Sequence, residues 1–308
     1  DGAWSACQAL HALGRAEPDE ERFYARLRNE EPQAPADRLV LADWPEHILP
    51  ADHDPAVTAL MALLEPMALA ARGRNIEAYG LTPDHLLSAE TYPYGLVQAI
   101  SAAADALGLP EPPVFQNQQD SGVLAFLATT PASIALGAAA FASDLPLVTT
   151  SFVAGRSVTY FVPGFFLRQV LSNMTALKSW VFAAIRLVKP KFPVSVELEP
   201  IVNQAFRELT LAPLPAHQRE QLTDVVSKLL RSAESLDLKK WAHSVDYAAD
   251  RAGLVMCQDV EHAVSLIKGM PADEGSPPIN LRIEKLITYS VSTAHLTLRE
   301  RLGTGVGT

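Results

Sequence analysis

The stretch Trp241-Ala-His-Ser-Val-Asp246-Tyr-Ala-Ala-Asp250-Arg-Ala-Gly253 carries the most information about the fold of this 308-residue chain. Its apolar residues recur every three or four positions, which predicts a helix with one buried face. Asp246 and Asp250 are four positions apart and therefore lie one turn apart on the same side of that helix. The two carboxylates form either a solvated stripe or a part of a functional site.

Earlier in the chain, three short apolar runs predict a small sheet of three strands. These runs are Val114-Phe115, Val123–Leu127 and Ser133–Leu136. The segment from Leu147 to Phe161 follows with helical spacing, and Val162-Pro163-Gly164 ends it because proline cannot continue a helix.

Most of the remaining chain shows helical periodicity. We predict two helices in residues 1–30, an irregular connector over 31–55, and a helix from Thr82 to shortly before Tyr92. Further helices are predicted at 56–79, 94–107, 165–187, 197–211, 216–234, 238–268 and 280–301. The predicted fold class is therefore mainly α with a small β-sheet (α+β).

This order of elements resembles the M48 family of zinc metallopeptidases. In that family a small sheet precedes a helix carrying His-Glu-x-x-His, and a later helix supplies a Glu ligand in the setting Glu-x-x-Ala-Asp-Arg. Asp246 stands at the position of that Glu, and Ala249-Asp250-Arg251 matches the rest of the motif. The resemblance covers about residues 95–270 and implies a zincin-like domain preceded by an N-terminal helical segment.

The first metal-binding motif of the family is not preserved. The segment from Phe152 to Tyr160 aligns with Phe-Val-x-Gly-His-Glu-x-x-His. Arg156 then replaces the first His, Ser157 the general-base Glu, and Tyr160 the second His. A shifted register, which places Phe165, Phe166 and Gln169 there, supplies no ligands either.

The chemistry of these residues argues against a catalytic zinc site, which needs three protein ligands and an open position for water. Arg156 has no free lone pair because its guanidinium stays protonated. Tyr160 is a poor ligand near neutral pH, with an ordinary phenol pKa near 10. Ser157 is not a base, so Asp246 alone could ligate. We therefore predict a pseudoenzyme with no catalytic residues, no metal and no cofactor.

The same alignment suggests what replaces the metal. We expect Arg156 and Asp246 to face each other across the former metal site as a buried ion pair that joins two helices. In the alternative arrangement, Arg156 points into solvent and Asp246 caps a nearby backbone group.

Other candidates for chemistry are weaker. None of the eight histidines forms a pair three or four positions apart. His47 and His53 share an acidic loop in which a metal site is conceivable, and His243 with Asp246 forms half of one. No Gly-x-Ser-x-Gly motif is present, so the sequence offers no support for serine hydrolase chemistry.

Composition narrows the classes of partner. The formal net charge of −10 repels phosphate backbones and predicts no nucleic-acid partner. No run of 18 apolar residues occurs, so we predict no membrane span. Two distant cysteines, Cys7 and Cys257, are expected to be buried thiols and indicate a reducing, cytoplasmic location.

We divide the chain into an N-terminal helical segment (1–92), an M48-like pseudo-peptidase domain (93–275), and a C-terminal helix with a flexible tail (276–308). The first segment resembles the helices that follow tetratricopeptide arrays in large bacterial scaffold proteins. We therefore expect a non-catalytic module for protein–protein interaction or assembly at the C-terminal end of such a scaffold. The alternatives are an active metal-dependent hydrolase with an atypical site and a helical binding module unrelated to peptidases.

Overall fold

The computed structural model of the chain consists mainly of helices, with one small mixed sheet among them. It describes residues 1–28, 31–92, 95–142, 145–171, 173–211, 214–231, 236–271 and 275–306. The predicted class, mainly α with a small β-sheet, is confirmed.

The helices account for nearly all the segments in which helical periodicity was found. They are α1 (Gly2–Ala12), α2 (Pro18–Leu27), α3 (Trp44–His47), α4 (Pro55–Arg72), α5 (Gly95–Ala106), α6 (Leu147–Val158), α7 (Leu167–Val170), α8 (Met174–Val188), α9 (Glu199–Leu209), α10 (Ala216–Arg231), α11 (Leu238–Cys257), α12 (Val260–Gly269), α13 (Ile279–Ser290) and α14 (Thr293–Arg301). The strands are β1 (Leu86–Leu87), β2 (Val114–Asn117), β3 (Leu124–Leu127) and β4 (Ser133–Gly137).

The sheet has the strand order β1-β2-β4-β3 among the described residues. Strand β2 runs parallel to β4, while β1 and β3 pair antiparallel to their neighbours. Every residue of β4 is buried, whereas β3 lies at the edge and is mostly half-buried. One edge of β3 therefore has no strand partner among the described residues.

The helix predicted from Thr82 is wrong. Residues Pro83–His85 form a single 3-10 turn, in which the His85 ring accepts a hydrogen bond from the Thr82 backbone N–H at 3.0 Å. The chain then extends as β1, and Leu86 pairs with Phe115 of β2. This pairing with a distant segment adds a fourth strand among the described residues, which the local sequence does not predict.

Three long predicted helices are each split in two, giving α7 and α8, α11 and α12, and α13 and α14. The second helix of each pair begins at a side-chain cap, provided by Asn173, Asp259 and Ser292 respectively. Before α12, Gln258 also adopts a left-handed backbone conformation with φ of 59°. The apolar periodicity continues across these breaks and hides them.

Helix α6 packs most extensively against α11. The crossing is close because each helix presents a glycine to the other. A Cβ atom at Gly155 would lie 2.6 Å from the Ala252 carbonyl oxygen, and one at Gly253 would lie 2.8 Å from the Phe152 ring. The residues predicted to be buried on α11 are buried: Trp241, Val245, Ala248, Ala249, Ala252 and Val255. The prediction of a single buried face is wrong, because 15 of the 20 residues of the helix are buried, including Asp246 and Asp250, and neighbouring elements cover it on most sides.

One continuous hydrophobic core draws residues from all three predicted segments, from Ala9 to Leu302. The described end of the predicted tail also packs against the body: Thr304 is buried, and the Val306 backbone N–H donates to Asp1. Of the two cysteines, Cys257 is buried and Cys7 is half-buried. The segment boundaries themselves stay a prediction.

Among the described helices, α4 is the one whose length and composition would allow it to cross a membrane. It supplies six buried residues to the core and carries Glu65 and Arg72 within its span. The core helix of a soluble protein has the same properties, so the described residues contain no clear membrane span.

We predict that Gly155→Ala lowers the free energy of unfolding by about 1–3 kcal/mol, the usual cost of overpacking. The added methyl group meets a backbone carbonyl that cannot move without separating α6 from α11. Urea denaturation followed by circular dichroism measures the change.

Gly269→Ala is the matched control, because this helical glycine has open space where the Cβ atom would be placed. Alanine there should be neutral or stabilising by up to about 1 kcal/mol. Equal effects of the two substitutions would contradict the close contact between the helices.

Candidate functional site

A cleft of about 610 Å³ lies between strand β3 and helices α6 and α12. Its apolar lining comes mainly from Leu96, Leu124, Phe126, Val153, Leu266 and Met270. Its polar lining includes Arg156, Ser157, Tyr160, Arg168, Asp246 and Arg282. The predicted site residues Arg156, Ser157, Tyr160 and Asp246 therefore share one cleft, and Asp250 lies directly beneath Arg156.

The buried Asp250 carboxylate bonds to two arginines, Arg156 and Arg282. Its Oδ1 accepts hydrogen bonds from Arg156 Nε at 3.1 Å and from Arg282 Nη2 at 2.6 Å. Its Oδ2 accepts from Arg282 Nε at 2.8 Å. Asp250 is thus not part of a solvated stripe, because its side chain is only 2% exposed.

The predicted direct pairing of Arg156 with Asp246 is wrong, since Arg156 bonds to Asp250. Asp246 Oδ1 instead accepts a hydrogen bond from the Tyr160 hydroxyl at 3.0 Å. Arg156 precedes Tyr160 by one turn, whereas Asp250 follows Asp246 by one turn. The two chain segments run in opposite directions where they cross. Arg156 therefore meets Asp250, and Tyr160 meets Asp246.

A third arginine, Arg168, bonds to Asp246. Arg168 Nη2 and the Ser276 hydroxyl each donate to Asp246 Oδ2 at 3.0 Å. Sequence reasoning missed Arg168 and Arg282, which come from α7 and α13. Neither residue belongs to a motif, and only the fold brings them to α11.

The charges in this cluster are fixed. Burial alone would lower the pKa of the Arg156 guanidinium, but Tyr160 and the two carboxylates raise it above its ordinary value. Burial, opposed in part by Arg156, raises the pKa of the Tyr160 phenol. Both groups therefore keep their protons near neutral pH, and neither offers a lone pair of the kind that zinc requires.

These residues do not fit the zinc ion that the resemblance would imply. Within the described parts of the chain, no group of three or more His, Cys, Asp or Glu side chains could hold a metal ion. Asp246 and Asp250 already accept hydrogen bonds on both oxygens. Ser157 is buried on the cleft wall, and its hydroxyl cannot replace the carboxylate that acts as a general base.

Of the histidines considered earlier, His47 and His53 have polar contacts within the fold, and the His243 ring lies 6.3 Å from the Tyr247 ring. His53 lies between the hydroxyls of Ser244 and Thr58, at 2.9 and 2.8 Å. His47 is buried, with Nδ1 3.4 Å from the Ala294 carbonyl oxygen. The His47 and His53 rings therefore help to attach the 44–54 region to α4, α11 and α14.

Helix α4 sets the position of Arg168. The half-buried Glu65 carboxylate accepts hydrogen bonds from the backbone N–H groups of Gly164 at 2.8 Å and Phe166 at 3.1 Å. Gly164 has φ of +92° and lies against the α4 backbone, where a Cβ atom would come within 2.7 Å of Ala62 N. This turn leads directly into α7 and directs Arg168 toward Asp246.

Comparison of the chain with protein-family models, with curated proteins and with solved structures finds no match. The resemblance to the M48 family therefore depends on the residues quoted above and stays a prediction.

We predict that Asp250→Ala lowers the free energy of unfolding by about 3–5 kcal/mol, because it leaves the buried Arg282 and the half-buried Arg156 without their shared carboxylate. Chemical denaturation measures the loss. Asp105→Ala is the matched control, since Asp105 and its partner Arg38 are both exposed and 3.7 Å apart. The control should change stability by less than about 1 kcal/mol, and an equally small effect at Asp250 would contradict the role of the cluster.

A second prediction concerns pH. Burial raises the pKa of Glu65 from 4.5 to about 7, although its two backbone hydrogen bonds oppose the shift. Between these values the folded chain holds a proton that the unfolded chain has released, so stability falls as the pH rises through this window.

Glu65→Gln removes this titration while keeping an oxygen that accepts from Gly164 and Phe166. The stability of the variant relative to the original chain should therefore increase from pH 4.5 to above pH 7, by at most about 3 kcal/mol. Parallel denaturation curves across this pH range measure the difference. A difference that does not change with pH would contradict the raised pKa.

Proposed function

We propose that this chain is a non-catalytic, M48-like module that binds an extended segment of a partner protein in the cleft beside β3. The observation that carries the proposal is the arginine–carboxylate–tyrosine cluster between α6 and α11. It occupies the place at which the resemblance positions a metal and its general base.

The cluster supports a loss of catalysis on chemical grounds. Metal-assisted hydrolysis needs a cation that lowers the pKa of a bound water and a base that accepts its proton. At the corresponding positions this chain has a guanidinium, a hydroxyl and a phenol that stays protonated. These groups can hold a shape and bind a ligand, but they do not activate water.

The edge of β3 supports a binding function. Among the described strands, β3 pairs with β4 on one side only. Leu124 and Phe126 of this strand and the preceding Val123 line the cleft. An extended peptide can add to such an edge through main-chain hydrogen bonds while its side chains enter apolar pockets.

The cluster also suits a module that must keep the cleft open. Buried ion pairs do not by themselves add much net stability, since desolvation offsets their attraction. They do fix the distance between α6, α7, α11 and α13, because each carboxylate bonds to groups from at least two other elements. We propose that this fixed frame keeps the binding surface formed in the absence of a partner.

The wider setting is also a proposal. It comprises a place at the C-terminal end of a bacterial tetratricopeptide scaffold, a cytoplasmic location and protein partners. Its support is the resemblance of residues 1–92 to the helices that follow such arrays, together with the acidic composition of the chain.

Zinc analysis and a proteolysis assay test the loss of catalysis. After dialysis against zinc and then against metal-free buffer, we expect no stoichiometric zinc by mass spectrometry and no casein cleavage above buffer. Asp246→Ala should leave both results unchanged. A variant at the exposed His217 is the control for zinc bound to the surface. Zinc that disappears with this variant does not occupy the cleft. Stoichiometric zinc that disappears with Asp246→Ala, or casein cleavage that does, would contradict the proposal and favour an active hydrolase.

A further inference from the structure

Arg156 has donor capacity that the fold does not use. Within the described chain it donates one hydrogen bond, from Nε to Asp250. Its two Nη nitrogens have no protein acceptor among those residues. The side chain is 18% exposed and lines the cleft, whereas Asp250 beneath it is 2% exposed. A ligand in the cleft can therefore reach the outer face of this guanidinium.

Among the described residues, the side chains bonded to Asp250 carry two positive charges against its one negative charge. Asp250 carries one negative charge and is shared by Arg156 and Arg282. Arg282 bonds to both Asp250 oxygens and is only 5% exposed, so it takes the larger share of that carboxylate. The remaining positive charge lies at Arg156, on the cleft surface.

The surroundings favour an anion of low charge with an apolar body. Leu124, Phe126, Val153, Leu266 and Met270 line the same cleft. In such partly dry surroundings a charge-assisted hydrogen bond is stronger than in water. A single carboxylate fits the planar fork of a guanidinium through two parallel hydrogen bonds.

The strand edge indicates that this carboxylate belongs to a polypeptide. The Phe126 ring of β3 lies 5.1 Å from the Tyr160 ring, and Arg156 Cζ lies 5.6 Å from that same ring. The edge strand and the guanidinium therefore border the same end of the cleft. A lipid acid cannot use the N–H and C=O groups of a strand edge, whereas a peptide main chain can.

We propose that the cleft recognises the free C-terminus of a partner polypeptide that ends in an apolar residue. The terminal carboxylate accepts hydrogen bonds from Arg156 Nη1 and Nη2. The last side chain lies among the apolar residues near Leu266 and Met270, and the preceding main chain lies along β3. This inference rests on the proposed function, because it assigns a ligand class to the same peptide-binding cleft.

Paired peptide libraries test the inference on the unmodified chain. Fluorescent hexapeptides with a fixed apolar last residue are prepared with either a free C-terminal carboxylate or a C-terminal amide, and binding is measured by anisotropy. We expect the acids to bind about 10- to 100-fold more tightly than the amides, the range for a hydrogen bond to a charged group.

Variants of Arg156 identify the side chain that reads the carboxylate. Arg156→Met should remove the preference for acids over amides and leave weak binding of both. Arg156→Lys should keep part of the preference, since lysine retains the charge but not the fork. Arg15→Met, at an exposed arginine far from the cleft in the sequence, is the matched control and should leave the preference unchanged.

The outcomes separate this inference from the proposed function. Equal binding of acids and amides would overturn C-terminal recognition and leave the peptide-binding function intact. Absence of binding by either library would overturn both. Binding of decanoate but not of peptides would also overturn the inference, because the ligand would be a lipid acid. The acid–amide comparison needs no variant, so it decides the question even if Arg156→Met fails to fold.

Discussion

The close crossing of α6 and α11 is the constraint on which the rest of the structure depends. Gly155 and Gly253 remove the side chains that would keep the two helix backbones apart. At this separation Arg156 reaches Asp250 and Tyr160 reaches Asp246. A wider crossing would leave buried charges without partners, which costs more than the pairs themselves contribute.

The cluster holds four helices together through hydrogen bonds between guanidinium groups and carboxylates. A structural or catalytic ion joins side chains from separate elements through a central positive charge. Here guanidinium groups from α6, α7 and α13 supply positive charge to two carboxylates of α11. The difference is chemical: arginine can only donate hydrogen bonds, so the site is suited to holding acceptors rather than to polarising them.

The sequence predicted the parts of the fold that depend on local patterns. The helices around Trp4, Leu60, Phe152 and Trp241 followed from apolar periodicity, and three of the four strands followed from apolar runs between turn residues. Strand β1 could not be predicted, because two leucines become a strand only by pairing with β2. The breaks before α8, α12 and α14 lay at capping residues within periodic stretches.

The candidate site was predicted to the same degree. The predicted site residues Arg156, Ser157, Tyr160, Asp246 and Asp250 come together, but the pairing of the charges required the direction in which the helices cross. Arg168 and Arg282 had no sequence signal, since each occupies an ordinary position on a helix outside the matched motifs. Contacts between elements that are far apart in the chain therefore account for most of what sequence reasoning missed.

The length of β3 limits what its edge can contribute to recognition. The strand has four residues, and its neighbour β4 already uses one side of it. Short edges protect a chain from pairing with copies of itself, which is a common route to aggregation. They also offer a peptide ligand only a few main-chain hydrogen bonds. Discrimination among ligands must therefore come from the shape and charge of side chains rather than from the backbone.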